Sequence, residues 1–179
     1  ADTAVFVGAP SYRPNRIAVR HILEVSQRLP SDIDLRFVVV GGFGNEISHR
    51  NNRIVLAGRV SDDRLRSIYS DAYLGLLPFF GAAAEGLKLK ALEFFSAGLL
   101  VISSDEGVKG IKGLIPYRHY VPANSMAELV NGITESLNDM KVGRSIAARG
   151  QRLILSNYSW DLVSKEYLRF IRILENSCW

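Results

Sequence analysis

The sequence predicts an α/β protein built on a doubly wound, mostly parallel six-stranded sheet of Rossmann-like type, with helices at its C-terminal end. Six short apolar runs alternate with stretches that carry helix signals, an order typical of strand–helix–strand units. Several runs are almost continuously apolar, as expected of strands that are covered on both faces. We place the strands at residues 5–7, 35–40, 54–56, 73–77, 99–103 and 119–121.

The stretches between the strands begin with residues that favour helix starts. Pro14 suits the first turn of the first helix, because an N–H at that position has no helical partner. Ser61 predicts a cap for the next helix, and Ser125 with Glu128 has the spacing of a capping box. The last helix carries an apolar stripe from Trp160 onward, which we expect to pack.

The composition is that of a folded globular protein. Of the 179 residues, 47% are apolar and 22% are charged, which excludes intrinsic disorder and suits a single domain over residues 1–179. The single cysteine, Cys178, excludes an internal disulfide framework. No apolar run reaches the roughly 18–20 residues of a membrane span. The net charge of +4 is mild, so it permits an anionic ligand without requiring nucleic acid.

The most informative stretch covers residues 81–110 and reads GAAAEGLKLKALEFFSAGLLVISSDEGVKG. A loop of small residues leads through Gly86 into a helix predicted over residues 87–97, which Gly98 ends. The first N–H groups of a helix lack helical partners and lie at its positive end, so this junction is a candidate phosphate site. Gly86 permits close approach, and Lys88 in the predicted first turn can add a point charge.

Two carboxylates flank this junction, Glu85 before the helix and Glu93 eight residues later within it. One carboxylate beside a diphosphate and a second that accepts bonds from sugar hydroxyls would suit a nucleotide sugar. The residues are also compatible with a simpler arrangement, in which Glu85 caps the helix and Glu93 pairs with Lys90 on a solvated face. The small-residue loop and the apolar strand that follows the helix favour the binding site.

The same stretch resembles a known family signature. Glu85-Gly86, Leu92-Glu93 and residues 97–102 resemble the E-x7-E motif of the family 4 retaining glycosyltransferases, or glycosyl transferases group 1. Further pieces agree in order: the segment RIVLAGRV at 53–60 resembles the strand and glycine turn near the nucleobase, and YSW at 158–160 resembles the opening of the last helix. The resemblance covers nearly the whole chain.

The resemblance implies one half of a GT-B fold, in which two Rossmann-like domains enclose the active site. This chain matches the C-terminal domain, which binds the nucleotide-sugar donor. Its start on an apolar run without methionine fits a fragment whose own N-terminal acceptor-binding domain is absent. The implied reaction transfers a sugar from a nucleotide-diphosphate sugar to an acceptor with retention of configuration. No cofactor or essential metal is expected, and the isolated fragment is expected to be inactive.

Carried onto this sequence, the resemblance makes Glu85 the catalytic candidate beside the transferred sugar. It makes Glu93 the acceptor of hydrogen bonds from the donor ribose. The other candidates for nucleotide-sugar binding lie in three loops, namely Gly8 and Arg13 after the first strand, Arg59 and Val60 at the base pocket, and Gly86, Leu87 and Lys88 at the helix start.

The sequence departs from the family pattern at the expected diphosphate site. Many members carry an arginine and a lysine after the first strand that hold the diphosphate, whereas the loop here, APSYRPN, offers only Arg13. Lys88 stands where many members have the second glycine of E-G-F-G. Arg13 and Lys88 are therefore the two candidates for replacing the usual basic residues.

Two alternatives share the fold: a GT-B sugar-nucleotide epimerase, and a non-catalytic Rossmann-like module that binds a partner protein. His21, His49 and His119 lack metal-ligand spacing, so we expect no metal site. With one cysteine we expect a cytoplasmic protein. The basic penultimate helix adds the option of peripheral contact with the inner face of the membrane, and no nucleic-acid partner is expected.

Overall fold

The computed structural model of the chain describes residues 2–44, 52–81 and 86–177. Strands interspersed with helices make up the first two thirds of the described chain, and three long helices follow. In chain order the elements are β1 (Asp2–Val7), α1 (Arg13–Arg28), β2 (Leu35–Val40), β3 (Ile54–Gly58), α2 (Asp62–Asp71), β4 (Leu74–Leu77), α3 (Leu89–Ser96), β5 (Leu100–Ser103), α4 (Asp105–Val108), β6 (Val121–Pro122), α5 (Met126–Asn138), α6 (Met140–Asn157) and α7 (Trp160–Ser177).

The six strands form one sheet in the order β3-β2-β1-β4-β5-β6, and every neighbouring pair is parallel. This confirms the predicted doubly wound, Rossmann-like sheet. From β1 the chain moves outward to β2 and β3, and from β4 it moves outward the other way to β5 and β6. The sheet therefore has its topological switch point between β1 and β4, where Ala4 pairs with Leu74 and Val5 with Gly75.

The helices cover both faces of the sheet. The chain turns in opposite directions after β1 and after β4, so right-handed crossovers place α1 and α3 on opposite faces. In agreement with this, α1 packs against α5, whereas α3 packs against α6. The first turns of α1 and α3 consequently meet at the same edge of the sheet, above the ends of β1 and β4.

The central strands are buried on both faces, as their apolar runs predict. All residues of β4 and β5 are buried. Gly75 in β4 has no side chain where α3 crosses it, and a Cβ added there would lie 2.7 Å from Phe94 Cδ2. This close approach holds α3 directly against the strand that ends at the switch point.

Capping residues start the helices largely as predicted. The N–H of Arg64 donates to Ser61 Oγ at 3.3 Å, and the N–H of Glu128 donates to Ser125 Oγ at 3.2 Å. In a capping box the Glu128 carboxylate would accept from the N–H of Ser125, but it accepts from the N–H of Asn124 at 2.6 Å instead. The Glu128 carboxylate thus satisfies the N–H one residue earlier than a capping box does. The side chains of Ser125 and Glu128 therefore both cap the start of α5.

One predicted strand and one predicted helix start are shifted in the structure. The last strand is Val121–Pro122 rather than 119–121, because the N–H of Ile115 donates to the His119 ring Nδ1 at 3.0 Å and holds that residue in a turn. The helix predicted over residues 87–97 is α3, Leu89–Ser96. Lys88 has extended dihedral angles, φ −89° and ψ 101°, and is therefore the residue before the first turn.

The last helix, α7, leaves its large apolar side chains exposed. Trp160 is 86% exposed, so the expected packing of this stripe is not made within the described part of the chain. The same exposure extends along the helix to Tyr167, Phe170 and Leu174. None of the described helices is long and apolar enough to cross a membrane.

Substitution of Gly150 tests the close packing of α6 on the sheet. A Cβ added at Gly150 would lie 2.6 Å from the carbonyl oxygen of His119 and 2.8 Å from Phe95 Cδ1. Gly150→Ala should lower the free energy of unfolding by about 1–2 kcal/mol in urea titrations, even though alanine has the higher helix propensity. Gly44→Ala is the control, because no atom lies within 4 Å of its added Cβ. A Gly150→Ala variant more stable than the wild type would contradict the packing described here.

Candidate functional site

The predicted binding residues that the structure describes lie along the carboxyl-terminal edge of the sheet or on the helix that begins there. Gly8 follows β1, Arg59 and Val60 follow β3, and the segment from Gly86 leads into α3. All strands are parallel, so their carboxyl ends share one edge. This is the edge at which open α/β sheets bind ligands.

The loop after β1 is drawn against the first turn of α1. The N–H of Gly8 donates to the carbonyl of Val40 at 3.0 Å. A Cβ added to Gly8 would lie 2.7 Å from the side chain of Asn15, whose Nδ2 donates to the carbonyl of Ala9 at 2.9 Å. The missing side chain of Gly8 therefore lets α1 approach β1, and its predicted contact with donor phosphates stays a prediction.

The two predicted arginines differ little in environment. Arg13 is the first residue of α1, and its side chain is exposed. Arg59 is also exposed, and a Cβ added to Gly42 would lie 3.9 Å from its Nε. Val60 is partly buried against the core. Arg59 thus lies beside the end of β2, as a residue of a loop-lined pocket would, while its role in base binding stays a prediction.

The proposed catalytic residue, Glu85, lies outside the described residues. The described chain resumes at Gly86, which has φ +71°, a left-handed conformation that glycine adopts readily. Leu87 lies beside Gly110, since a Cβ added to that glycine would be 3.6 Å from Leu87 Cδ1. The position of the Glu85 carboxylate relative to that of Glu93 therefore stays a prediction.

Lys88 is buried, and it precedes the first turn of α3 instead of lying in it. Only 7% of it is exposed, and its ammonium donates to the carbonyl of Gly86. The same ammonium lies 3.8 Å from Glu106 Oε1, and the other oxygen of Glu106 lies 3.3 Å from the ammonium of Lys109. Burial lowers the pKa of Lys88, and the charge of Glu106 partly offsets this. The lysine thus ties the segment before α3 to α4.

Glu93 lies in the second turn of α3 with its side chain exposed. Its Oε2 accepts a hydrogen bond of 2.9 Å from the phenol of Tyr69 in α2. Burial and the charge of Glu93 together raise the pKa of Tyr69, so this phenol stays a donor across the neutral range. A carboxylate offers about four acceptor positions, which leaves Glu93 capacity for the hydroxyls of a ligand.

Lys90 is the residue of this region that the sequence interpretation missed. The sequence offers it only as a surface charge that could pair with Glu93 on a solvated face, but it is partly buried, and its Nζ donates to Asn15 Oδ1 at 2.7 Å. The Nζ also lies 4.7 Å from the ring centre of Phe6 and 5.4 Å from that of Phe79. The available signal was its spacing: Lys90 precedes the buried Phe94 by four residues and so lies on the same helix face.

The desolvation of Lys90 changes its acid–base behaviour. Burial lowers its pKa from 10.5 to about 8; the charge of Glu93 opposes this shift and that of Lys88 adds to it. At neutral pH the side chain is still mostly a cation.

Among residues 2–44, 52–81 and 86–177, no three His, Cys, Asp or Glu residues are grouped so that they could hold a metal ion.

Comparison with known proteins decides the family. The profile described as glycosyl transferases group 1 matches residues 1–139 of the chain. The chain belongs to the group 1 glycosyltransferases. The resemblance to the glycosyl transferases group 1 is thereby confirmed, whereas the retaining family 4 subclass stays a prediction.

Individual relatives agree with this assignment. The lipopolysaccharide 1,2-N-acetylglucosaminetransferase of Salmonella typhimurium is 29% identical over 119 residues, which is 63% of this chain. The sucrose-phosphate synthase of Thermosynechococcus elongatus superposes with a TM-score of 0.77 over 98% of the chain, at 19% identity. The Anabaena protein HepE, solved in complex with UDP and glucose, superposes with a TM-score of 0.75 over 95% of the chain, at 13% identity.

This group 1 glycosyltransferase chain is much shorter than the three proteins just named. It spans 29% of the length of the Salmonella enzyme. It also spans 46% of the synthase chain and 47% of the HepE chain. The structural superpositions establish a shared Rossmann-like domain fold.

The lowered pKa of Lys90 predicts a specific dependence of stability on pH. The unfolded chain binds a proton at Lys90 up to about pH 10.5, whereas the folded chain releases it near pH 8. Between these pH values the unfolded state binds more protons than the folded state, so the free energy of unfolding rises with pH. Below this window the destabilisation caused by burying the charged ammonium is fully present. Relative to Lys90→Met, the wild type should gain up to about 3 kcal/mol of unfolding free energy from pH 7 to 10.

Urea titrations at several pH values measure this difference. Lys141→Met, which removes an exposed lysine from α6, serves as the control for the loss of one charge. A difference between wild type and Lys90→Met that does not change with pH would show that the ammonium is as well solvated as in the unfolded chain.

Proposed function

We propose that this chain is the donor-binding domain of a retaining glycosyltransferase. The observation that carries the proposal is the position of α3, whose first turn lies at the switch point of the sheet and whose second turn presents Glu93 toward α2. A ligand in that crevice would meet a helix start, a fixed carboxylate and a buried ammonium within one short helix. This combination suits a nucleoside diphosphate that carries a sugar.

Each part of the donor has a candidate partner in this arrangement. The exposed carboxylate of Glu93 would accept bonds from the ribose hydroxyls, with Tyr69 fixing its orientation. Backbone N–H groups at Gly86, Leu87 and Lys88 would bind the diphosphate or the sugar. Arg59 and Val60 would border the nucleobase, and the loop that begins at Gly8 would lie beside the donor phosphates. Glu85 is the candidate for the position beside the transferred sugar.

The chemistry asked of this domain is stabilisation of a leaving diphosphate. When the bond between the sugar and the diphosphate breaks, negative charge grows on the phosphate oxygens. Preorganised N–H donors and cations stabilise that charge without moving, which lowers the barrier. The site supplies such groups from the chain itself, so the proposed transfer needs no metal or other cofactor. The complex of HepE with UDP and glucose supports a nucleotide sugar as the donor class.

The acceptor side would belong to a second domain of the same protein. The chain spans less than half the length of the synthase and HepE chains that share its fold, which supports such a domain. The exposed apolar side chains of α7, from Trp160 to Leu174, are the surface available for packing against it. We expect transfer activity to require both domains, so the isolated chain should bind the donor and catalyse little transfer.

Binding of nucleoside diphosphates by the 179-residue chain tests the proposal directly. Calorimetric titration with UDP, GDP and ADP should detect binding of at least one of them. Incubation of the longer protein with the corresponding nucleotide sugar and an acceptor would then show by NMR whether the anomeric configuration is retained. The absence of binding by all three nucleotides at millimolar concentration would exclude a donor-binding role.

Glu93 provides the sharper test of the ribose contact. Glu93→Ala should raise the dissociation constant for the bound nucleotide tenfold or more, because a hydrogen bond to a charged group contributes about 1.5–3 kcal/mol. Glu135→Ala, which removes an exposed glutamate from α5, is the control and should leave binding unchanged. Calorimetry measures both constants, and equal affinities for the two variants would reject the ribose role.

A further inference from the structure

The ammonium of Lys90 lies where the two halves of the sheet separate. Lys90 is in the first turn of α3, and its Nζ donates to Oδ1 of Asn15 in the first turn of α1, 2.7 Å away. The rings of Phe6, from β1, and Phe79, which follows β4, lie beneath the same Nζ. Because β1 and β4 flank the switch point, this ammonium borders the crevice in which a ligand would lie.

Among the described residues, the surroundings of Lys90 provide no ion pair for its ammonium. An ammonium has three N–H donors, and the amide oxygen of Asn15 is a neutral acceptor for one of them. Among the residues that the structure describes, no carboxylate lies within 4.0 Å of this Nζ. The charges that act on it are those of Glu93 and Lys88, which have opposite signs. Buried cations are normally paired, so the arrangement is complete only when an anion enters.

We propose that Lys90 is the residue that binds the diphosphate of the donor, with Asn15 holding its ammonium in position. This inference rests on the proposed donor-binding function. A phosphate oxygen in the crevice would accept the remaining N–H donors of the ammonium, and the charge-assisted bonds would replace the solvation that burial removes. Asn15 is itself fixed through its Nδ2, which donates to the carbonyl of Ala9, so the cation is preorganised before the ligand arrives.

The two basic residues singled out from the sequence are less suited to this role. The ammonium of Lys88 is directed at the carbonyl of Gly86 and toward Glu106, so a carboxylate already lies near it. Arg13 is the first residue of α1 and is exposed to solvent. Lys90, alone of the three, is partly buried and donates a hydrogen bond from α3 to α1 across the switch point.

The experiment compares phosphate-dependent with phosphate-independent affinity. Whichever of UDP, GDP and ADP binds the wild-type chain best is titrated by calorimetry, and its nucleoside is titrated by NMR. Lys90→Met should weaken binding of the diphosphate at least tenfold and leave the affinity for the nucleoside within a factor of about two. Inorganic pyrophosphate, as a third probe, should lose affinity in the same variant. Lys141→Met controls for the change in net charge.

Different failures have different meanings. Equal losses for nucleoside and diphosphate would make Lys90 a structural contact between α1 and α3 and overturn the assignment. A phosphate-specific loss in Lys88→Met with none in Lys90→Met would transfer the role to Lys88. Nucleotide binding that depends on Glu93 but not on Lys90 would reject this inference and leave the proposed function standing. No nucleotide binding by the wild type would reject both.

A second measurement can be made on the wild-type chain alone. Burial lowers the pKa of Lys90 to about 8 in the free chain, and a bound diphosphate would raise it again. Binding at about pH 8.5 should therefore take up on the order of half a proton, measured by calorimetry in two buffers that differ in ionisation enthalpy. Where the variants fold, the uptake should persist in Lys88→Met and vanish in Lys90→Met. No proton uptake by the wild type would contradict the proposal.

Discussion

The pairing of β1 with β4 is the constraint on which the rest of the structure depends. These two strands are neighbours in space but are separated in the chain by two other strands and two helices. Because the connections leave them in opposite directions, α1 and α3 cover opposite faces and their first turns meet only at this point. Every candidate contact to a diphosphate, whether from Gly8, Lys90 or the N–H groups before α3, depends on that meeting.

The crevice is built from groups that would be unfavourable elsewhere. An ammonium above two aromatic rings has lost much of its water, and its lowered pKa records that loss. A phenol held against a carboxylate, as Tyr69 is against Glu93, likewise keeps a polar pair in one orientation. The buried ammonium reduces stability, but both arrangements leave charges in fixed positions, so a binding site can use them without a further cost of reorganisation.

Local features of the chain were predictable because their causes are local. The continuous apolar runs placed most of the strands, and Ser61 and Ser125 cap α2 and α5 through bonds to residues three positions away. The shift at the start of α3 had no such cause within the helix. It arises where Lys88 adopts an extended conformation and its side chain reaches Gly86 and Glu106, the second of which lies on another element. The exposure of Trp160 likewise depends on tertiary structure, because it is set by whether another surface lies near enough to cover the side chain.

The sequence by itself determined the fold class, the family and the stretch of chain that carries Glu93, since apolar periodicity and motif spacing are properties of neighbouring residues. The tertiary structure decided the surroundings of the two lysines in this stretch. Lys88 and Lys90 are two residues apart and carry the same charge, and the spacing of Lys90 from Phe94 indicates a shared helix face but not which groups surround either ammonium. Their side chains leave the backbone in different directions, one toward Glu106 and the other toward Asn15, and only the packed helices place an acid beside the first and an amide beside the second.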